Sequence, residues 1–126
     1  MGLAAGTNNM KNIENLTKKI IAFRDARDWA QFHNPKDVSI SMALEAAELL
    51  EHFQWKNTEE IEKHVKTHKA AISEELADVL YWVLLLSHDL KIDVLAALSK
   101  KLVKNAKKYP VSKAKGRHTK YTELRK

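Results

Sequence analysis

Glycine and proline are scarce in this chain, with three Gly and two Pro among 126 residues. Because these two residues are the main breakers of regular structure, their scarcity favours a few long helices over many short strands. The length suits one domain, and a hydrophobic share of 44% is normal for a globular protein. The sequence therefore predicts an all-α fold, a compact helical bundle of four to five helices.

Capping signals mark where these helices begin. Asn34 followed by Pro35 combines a capping side chain with a ring that favours the first helical position. Asn57 with Glu60 three residues later can form a capping box, and Asp93 can cap the last helix. Together with the hydrophobic spacing, these signals predict helices over residues 11–30, 35–53, 58–67, 69–90 and 94–109, with 58–90 equally consistent with one kinked helix.

The two ends of the chain differ from its middle. Residues 1–10 are predicted to be a disordered leader or tag, residues 11–110 a single helical domain, and residues 111–126 an extended basic tail. Residues 100–126 contain 11 basic side chains and one acid, whereas residues 1–99 contain 11 basic and 15 acidic ones. A basic end of this kind indicates either a polyanionic partner or a solvated tail.

Cysteine is absent, which excludes disulfides, zinc thiolate sites and thiol nucleophiles. The longest uncharged apolar run, residues 79–87, is far shorter than the roughly 20 residues that span a bilayer. Residues 1–10 lack the basic start and apolar run of a signal peptide. We therefore expect a soluble, cytoplasmic protein with no membrane partner.

Two pairs of acidic residues lie in apolar surroundings. Glu45 and Glu48 are three residues apart, and Glu75 and Asp78 repeat this spacing. Residues three apart share a helix face, with Cβ atoms about 5–6 Å apart. Asp78 interrupts residues 76–86, which are otherwise apolar, and a helix that is apolar all round is normally buried. Since buried acids need a partner, the two pairs are candidates for a functional site.

No neighbouring cation in the sequence balances these acids, because Lys and Arg are absent from residues 40–54 and from residues 70–90. Two like charges about 4 Å apart repel by about 4 kcal/mol at an effective dielectric constant near 20. A hard divalent cation would relieve this repulsion, and Mg²⁺ is usual where phosphates complete its shell. We therefore predict four catalytic and metal-ligating residues, Glu45, Glu48, Glu75 and Asp78. The alternative is that they are solvent-facing helix residues.

Other site chemistries do not fit the sequence. Carboxylate-bridged di-iron bundles use Glu-x-x-His pairs, and none of the six His residues has a Glu three positions before it. A Gly-rich phosphate loop is also absent, which argues against P-loop and dinucleotide-binding folds. The acid pairs therefore favour a metal bound wholly by oxygen.

The acid pairs and their flanks resemble the all-α NTP pyrophosphatases of the MazG-like superfamily. The matching signature is Glu45-x-x-Glu48, then 26 residues, then Glu75-x-x-Asp78. Five flanking segments are similar to the dCTP pyrophosphatase-like branch: WAQFH at 29–33, FQW at 53–55, EELADVL at 74–80, KYP at 108–110 and KYTEL at 120–124. The resemblance covers residues 11–124.

The resemblance implies a helical bundle that binds a nucleoside triphosphate with Mg²⁺ and hydrolyses it to the monophosphate and pyrophosphate, in nucleotide-pool house-cleaning. It also implies a homodimer, or a tetramer built from dimers, with sites near subunit interfaces. Nucleotide contacts are implied at Trp29, Gln31, Phe32, His33, Trp55 and Trp82. Ile20 stands where close eukaryotic members have His, and Trp82 where Tyr is usual, so both departures bear on base preference.

The last predicted helix has a polar face. Lys101, Asn105 and Lys108 lie at i, i+4 and i+7, and with the adjacent Tyr109 they are predicted to contact substrate. The alternative is a solvated Lys-rich face. Glu51 is predicted to be a solvated helix residue, the alternative being an extra acid that binds metal or positions water. Four histidines are predicted to be surface or packing residues, namely His52, His64, His68 and His88.

Two other functional classes compete with the enzyme. A helical nucleic-acid-binding protein would use the basic tail, but the tail has no reading motif, so we expect no nucleic-acid partner. An inactive helical scaffold would be indifferent to Mg²⁺. The predicted partners are a nucleotide substrate and further copies of the chain.

Overall fold

The computed structural model describes residues 2–124, with side chains from residue 11 onward. Every regular element in this range is a helix, which confirms the all-α prediction. The elements in chain order are α1 (Gly2–Ala26), a 3₁₀ turn (Ala30–Phe32), α2 (Pro35–Glu51), α3 (Thr58–Thr67), α4 (Lys69–Asp89), α5 (Val94–Lys108), α6 (Val111–Ala114) and α7 (Tyr121–Leu124).

The ends of the chain depart from the predicted local structure. Helix α1 includes residues 2–10, for which disorder was predicted, and it ends before residue 30. The prediction of an extended C-terminal tail is wrong in two places, because α6 and α7 form single turns of helix within residues 111–124. Seven α-helices therefore occupy residues 2–124, rather than four or five.

The predicted caps are present in the structure. Asn34 accepts a hydrogen bond from the Asp37 amide at 2.9 Å, and Asp93 accepts one from the Ala96 amide at 3.0 Å. Asn57 and Glu60 form the reciprocal capping box of α3. Helices α3 and α4 are separate, because the backbone at His68 leaves the helical region with φ −120° and ψ 24°. Residues 58–90 therefore form two helices, and not one kinked helix.

The chain forms two compact units, one ending at Leu90 and the other beginning at Lys91. In the first unit α4 packs against α1, α2 and α3, and most extensively against α2. Its buried apolar side chains include Val38 of α2 together with Leu84 and Leu85 of α4. In the second unit the Tyr109 and Tyr121 rings meet edge to face at 6.0 Å.

An ion pair between a buried arginine and a partly exposed aspartate joins α1 to α4 in the first unit. The Arg24 guanidinium is buried and donates from Nη1 to both carboxylate oxygens of Asp89, at 2.9 and 2.7 Å. Its Nε donates to Asp25 at 3.1 Å. The hydrogen bond with Asp89 is the main reason that the pKa of Arg24 is raised.

The apolar run of α4 is only partly buried in the single chain. Leu84 and Leu85 are buried as predicted, whereas Leu76 and Leu80 are 53% and 45% exposed. The prediction of a helix buried all round is therefore wrong for the half that carries the acids. A helix can be apolar on every side without being fully buried in a single chain. One side then packs on the core of its own chain, and the other side is available to a binding partner. Among the described residues, no helix is both long and apolar enough to cross a membrane.

Candidate active site

The packing of α2 against α4 brings three of the four predicted acids together. Glu45 and Glu48 lie three residues apart on α2, and Glu75 lies on α4. One carboxylate oxygen from each of these residues lies within 4.8 Å of the others. We refer to Glu45, Glu48 and Glu75 as the carboxylate cluster.

Asp78, the fourth predicted acid, does not belong to this set. Its side chain is exposed, one helical turn beyond Glu75 on α4. Its charge nevertheless raises the pKa values of Glu45 and Glu75, though less than burial and Glu48 do. Asp78 therefore lies beside the carboxylate cluster as a neighbouring charge.

Two oxygens of the carboxylate cluster have no partner in the part of the chain that the structure describes. Oε2 of Glu45 and Oε2 of Glu75 are both buried without a hydrogen-bond partner among the described residues. The ion pairs found in residues 11–124 leave out all four acids. Buried carboxylate oxygens are normally satisfied, so these two oxygens are free to serve as ligands. A donor set made only of oxygen suits a hard divalent cation.

Crowding of the acids raises two of their pKa values. The pKa of Glu75 rises to about 7, first because it shares a hydrogen bond with Glu48, then because of burial and the nearby negative charges. Burial raises the pKa of Glu45, and the charge of Glu48 adds to the effect. Loss of solvent and nearby negative charge both disfavour the ionised carboxylate, and both pKa values therefore rise. A bound cation would lower both pKa values, because positive charge favours the ionised carboxylates.

A cavity of about 340 Å³ adjoins the carboxylate cluster. Five residues line it, namely Glu48, Glu51, His52, His64 and Glu75. His52 Nδ1 and His64 Nε2 lie 2.8 Å apart across this cavity wall. Burial is the first cause of a lowered pKa at His64, and the nearby His68 and Lys56 add to it, so the neutral imidazole is favoured.

Two of the predicted nucleotide contacts are in contact with each other. The rings of His33 and Trp82 meet edge to face at 5.4 Å, and both side chains are half-buried. His33 Nδ1 is buried and has no hydrogen-bond partner among the described residues. An orphaned nitrogen beside an indole offers one polar and one flat apolar contact to a ligand.

The remaining predicted contacts of the first unit are exposed. The rings of Trp29 and Phe23 meet edge to face at 5.8 Å, and Phe32 lies on the surface. Gln31 already uses its amide nitrogen, which donates to the backbone oxygen and the carboxylate of Asp28. Trp55 is 91% exposed and has a positive φ of 69°.

The predicted contacts of the second unit lie on α5 and at its end. Lys101 is exposed and Asn105 is half-buried. Lys108 places Nζ over the Tyr121 ring at 4.7 Å, and Tyr109 contacts the same ring. These contacts pack the C-terminal end of α5 against Tyr121 within its own unit.

Sequence reasoning missed His52 and His64 as lining residues of the cavity, and it favoured a solvated Glu51 over a role for this acid in the site. One signal was available, since Glu48 and His52 are four residues apart and therefore share a face of α2. His64 gave no such signal, because it lies on a different helix.

Fold and site together define an all-α protein with clustered carboxylates from two packed helices. A MazG-like family model matches residues 40–124, and the chain belongs to the MazG-like family. The chain is similar to dCTP pyrophosphatase 1 of Bos taurus and of Homo sapiens, each 34% identical over 114 residues. These 114 residues are 89% of this chain and 68% of the bovine or 67% of the human protein.

A solved structure supports the same assignment. A pyrophosphatase from Archaeoglobus fulgidus DSM 4304 matches with a TM-score of 0.76 and 38% sequence identity. The match covers 79% of this chain and 93% of the archaeal one. The expected MazG-like fold is thereby confirmed.

Proposed function

We propose that this chain is a Mg²⁺-dependent hydrolase that cleaves dCTP, or a related deoxynucleotide, to the monophosphate and pyrophosphate. The coarser class, a nucleotide pyrophosphohydrolase, rests on family membership and on the relatives. The observation that carries the proposal is the carboxylate cluster, with two buried oxygens that have no partner among the described residues. Nucleotide-pool house-cleaning in the cytoplasm is the corresponding cellular role.

The proposed metal ligands are the carboxylate cluster and Asp78. When bound, a divalent cation neutralises phosphate charge and aligns the triphosphate for attack by water. The donor chemistry supports Mg²⁺, which prefers oxygen ligands and keeps open positions for phosphates. The rise in the pKa values of Glu45 and Glu75 supports a cationic partner, because nearby positive charge would favour their ionised forms.

Aromatic side chains are proposed to hold the base. Trp55 leaves almost its whole indole free to stack, and Trp82 with His33 offers a second apolar surface with a polar atom. Stacking alone does not choose a base, since every base has a π-face. Discrimination would then come from hydrogen bonds, for which His33 Nδ1 and the amide oxygen of Gln31 are candidates.

The polar face of α5 is proposed to contact the phosphates. Lys101 and Lys108 supply positive charge, and Asn105 supplies an amide donor on the same face. Tyr109, at the end of α5, is the fourth proposed contact in this unit. A cationic face of this kind is what a triphosphate carrying several negative charges requires.

Self-association is proposed from the exposed apolar residues of α2 and α4. Ile40 and Leu44 on α2, and Leu76 and Leu80 on α4, are spaced four apart and are all exposed. Apolar stripes of this kind on the two helices that hold the acids favour burial against a second copy of the chain. A dimer, or a tetramer built from two dimers, is the proposed assembly.

The reaction is tested by product analysis. Purified protein, Mg²⁺ and dCTP should yield monophosphate and pyrophosphate, separated by ion-exchange chromatography and checked by a coupled pyrophosphate assay. A control without divalent cation, made with chelator, should yield neither product. Diphosphate and orthophosphate in place of these products would contradict cleavage between the α and β phosphates.

The substrate is tested by side-by-side values of kcat/KM for dCTP, 5-methyl-dCTP, dATP, dTTP, dGTP, dUTP and CTP. We expect dCTP or its modified form to rank near the top and CTP to rank below dCTP. Because Ile20 and Trp82 depart from the related pattern, a second base such as adenine is also expected to be accepted. A bottom-half rank for dCTP, or equal values for CTP and dCTP, would overturn the substrate assignment and leave the reaction class standing.

A further inference from the structure

Two histidines join the end of α2 to α3. His52 directly follows the last residue of α2, His64 lies on α3, and both side chains are half-buried. Nδ1 of His52 lies 2.8 Å from Nε2 of His64, a distance at which one ring donates a proton and the other accepts it. Among residues 11–124, no other side-chain hydrogen bond links His52 or α2 to α3, and the two helices have few close backbone contacts. The attachment of α3 to the end of α2 therefore depends on this pair.

The neighbours of His64 oppose a positive charge on its ring. His64 stacks on His68 at 4.0 Å with an interplanar angle of 11°, and Phe53 lies edge to face with it at 6.3 Å. Burial is the first cause of the lowered pKa of His64, and positive charge at His68, Lys56 and His52 adds to the effect. These surroundings favour the neutral imidazole.

Three acids face the pair from the cavity. Glu48 and Glu51 of α2 and Glu75 of α4 line it together with His52 and His64. Negative charge favours the protonated imidazole, so these acids act against the cationic neighbours. In the part of the chain that the structure describes, no ion pair joins any of the three acids to either imidazole. The net effect on His64 is still a lowered pKa.

Protonation acts on the His52–His64 contact in two steps. The neutral pair has one N–H and one lone pair at the shared point, and a first added proton can bind an outward-facing nitrogen without breaking the hydrogen bond. A second added proton leaves both rings positively charged, with an N–H on each of two nitrogens that are 2.8 Å apart. Two like-charged donors repel at this distance, so the contact is lost.

We propose that the His52–His64 contact is an acid-sensitive latch, which holds α3 against the end of α2 and closes one wall of the cavity. A lowered histidine pKa stabilises the closed form above the ordinary value of 6.5, and this stabilisation is lost as pH falls through the folded value. His64 is the α3 residue that lines the cavity, so opening the latch removes one side of the wall. The inference concerns the coupling of pH to α3 and does not depend on which reaction the chain catalyses.

Hydrogen exchange of the full chain, read by peptide mass spectrometry at saturating Mg²⁺, tests the latch between about pH 8 and about pH 5. We expect the protection factors of the α3 amides to fall at least about tenfold in the wild type as the pH is lowered. In His64→Gln they should change less than about twofold, because the amide side chain donates and accepts and can pair with His52 in either protonation state. His118→Gln is the matched control, since His118 is exposed and lies in the other unit, and it should respond like the wild type.

The same variant separates the latch from the acids of the cavity. Glu75 titrates in the same range, because its pKa is raised to about 7. His64→Gln keeps Glu75 and removes only the imidazole. A fall in α3 protection that persists in His64→Gln would assign the response to the acids and overturn the latch, as would constant protection in the wild type.

A second measurement uses the unmodified protein, so that a folding defect in a variant cannot decide the result. NMR of the imidazole nitrogens follows each ring through the same titration. We expect His64 to be still largely neutral at pH 6.5, and the amide signals of α3 to shift only as His64 becomes charged. A half-charged His64 at pH 6.5, or a charged His64 with unchanged α3 signals, would contradict the latch.

Discussion

At the scale of single residues, the carboxylate cluster is electrostatically unfavourable without a bound ligand. Glu45 and Glu75 each bury an oxygen without a partner among the described residues, and burial together with the neighbouring carboxylates raises the pKa of both. Buried polar atoms are normally paired, and like charges at this range repel. Such an arrangement is typical of a binding site whose ligand supplies the missing charge.

Substitution of Glu75 by Gln should separate activity from stability. The change keeps the shape of the side chain and removes one of the repelling charges, so Tm in the absence of metal should be equal or higher. Hydrolysis should fall at least about tenfold in kcat/KM, or about 1.4 kcal/mol, because a proposed ligand is lost. Glu74→Gln is the control, since Glu74 is exposed and adjacent. Near-wild-type kcat/KM in Glu75→Gln would remove Glu75 from the proposed site.

The Arg24–Asp89 pair predicts an acid-sensitive contribution to stability. Partial burial raises the pKa of Asp89, but the hydrogen bond from Arg24 and further interactions outweigh it, so the net shift is downward from 3.8. A lowered carboxyl pKa stabilises the fold above the unfolded value, and this stabilisation is lost as pH falls through the folded value. Asp89→Asn should therefore cost about 2 kcal/mol at neutral pH, and the difference should shrink below pH 3.8.

Urea unfolding at several pH values measures this difference. The free energy of unfolding of wild type and Asp89→Asn should be compared between pH 7 and the acid limit of the folded state. Glu62→Gln, an exposed change on α3, should show neither effect. A gap between wild type and Asp89→Asn that is constant down to low pH would contradict the assigned role.

At the scale of elements, the turn after α2 combines exposure with strain. Trp55 has a φ of 69°, a region that costs an L-residue roughly 1–2 kcal/mol, and its indole packs on little else. Non-glycine residues held in such conformations cluster at ligand sites. An exposed, strained Trp beside the acid-bearing helix is thus consistent with a residue kept for base stacking.

Replacement of Trp55 by Gly should relieve the strain and weaken substrate binding. Tm should be equal or higher, because little packing is lost and Gly accepts positive φ. KM for dCTP should rise about tenfold, within the range measured for loss of one base–aromatic stack. Lys91→Gly is the control, since Lys91 also has a positive φ, 56°, but is not a proposed contact. Unchanged KM in Trp55→Gly would exclude stacking on this side chain.

At the scale of the whole molecule, the first unit has apolar side chains that its own core does not cover. Ile40, Leu44, Leu76 and Leu80 remain exposed on the two central helices. Leu80→Glu should convert the proposed oligomer to monomer, measured by size-exclusion chromatography with light scattering. Val111→Glu is the control, because Val111 is also apolar and exposed but lies in the second unit. A monomeric wild type would contradict the proposal directly.

Magnesium should stabilise the folded molecule, because the carboxylate cluster forms only when α2 and α4 are packed. A ligand at about 100 times its Kd adds about 2.7 kcal/mol, which raises Tm by several degrees in a domain of this size. Differential scanning calorimetry should show this rise in the wild type and no rise when Glu45, Glu48 and Glu75 are all changed to Gln. A wild-type Tm that is constant across millimolar Mg²⁺ would favour the inactive scaffold.

Features encoded by short-range interactions could be read from the sequence alone. The caps at Asn34, Asn57 and Asp93 depend on contacts three residues away, and all three are present. The helical class and the pairing of acids on one face likewise follow from the helical period. Where local signals were weak, at residues 2–10 and 111–124, the predicted disorder and extended structure did not match the helices found.

Only the tertiary structure decided which side chains meet across helices. It joins Glu75 to Glu45 and Glu48, leaves Asp78 outside that set, and brings His64 to His52. It also leaves Leu76 exposed on a helix whose sequence predicted full burial. The physical reason is that periodicity fixes the faces of one helix, whereas the choice of partner helix and its register depends on packing between residues distant in sequence.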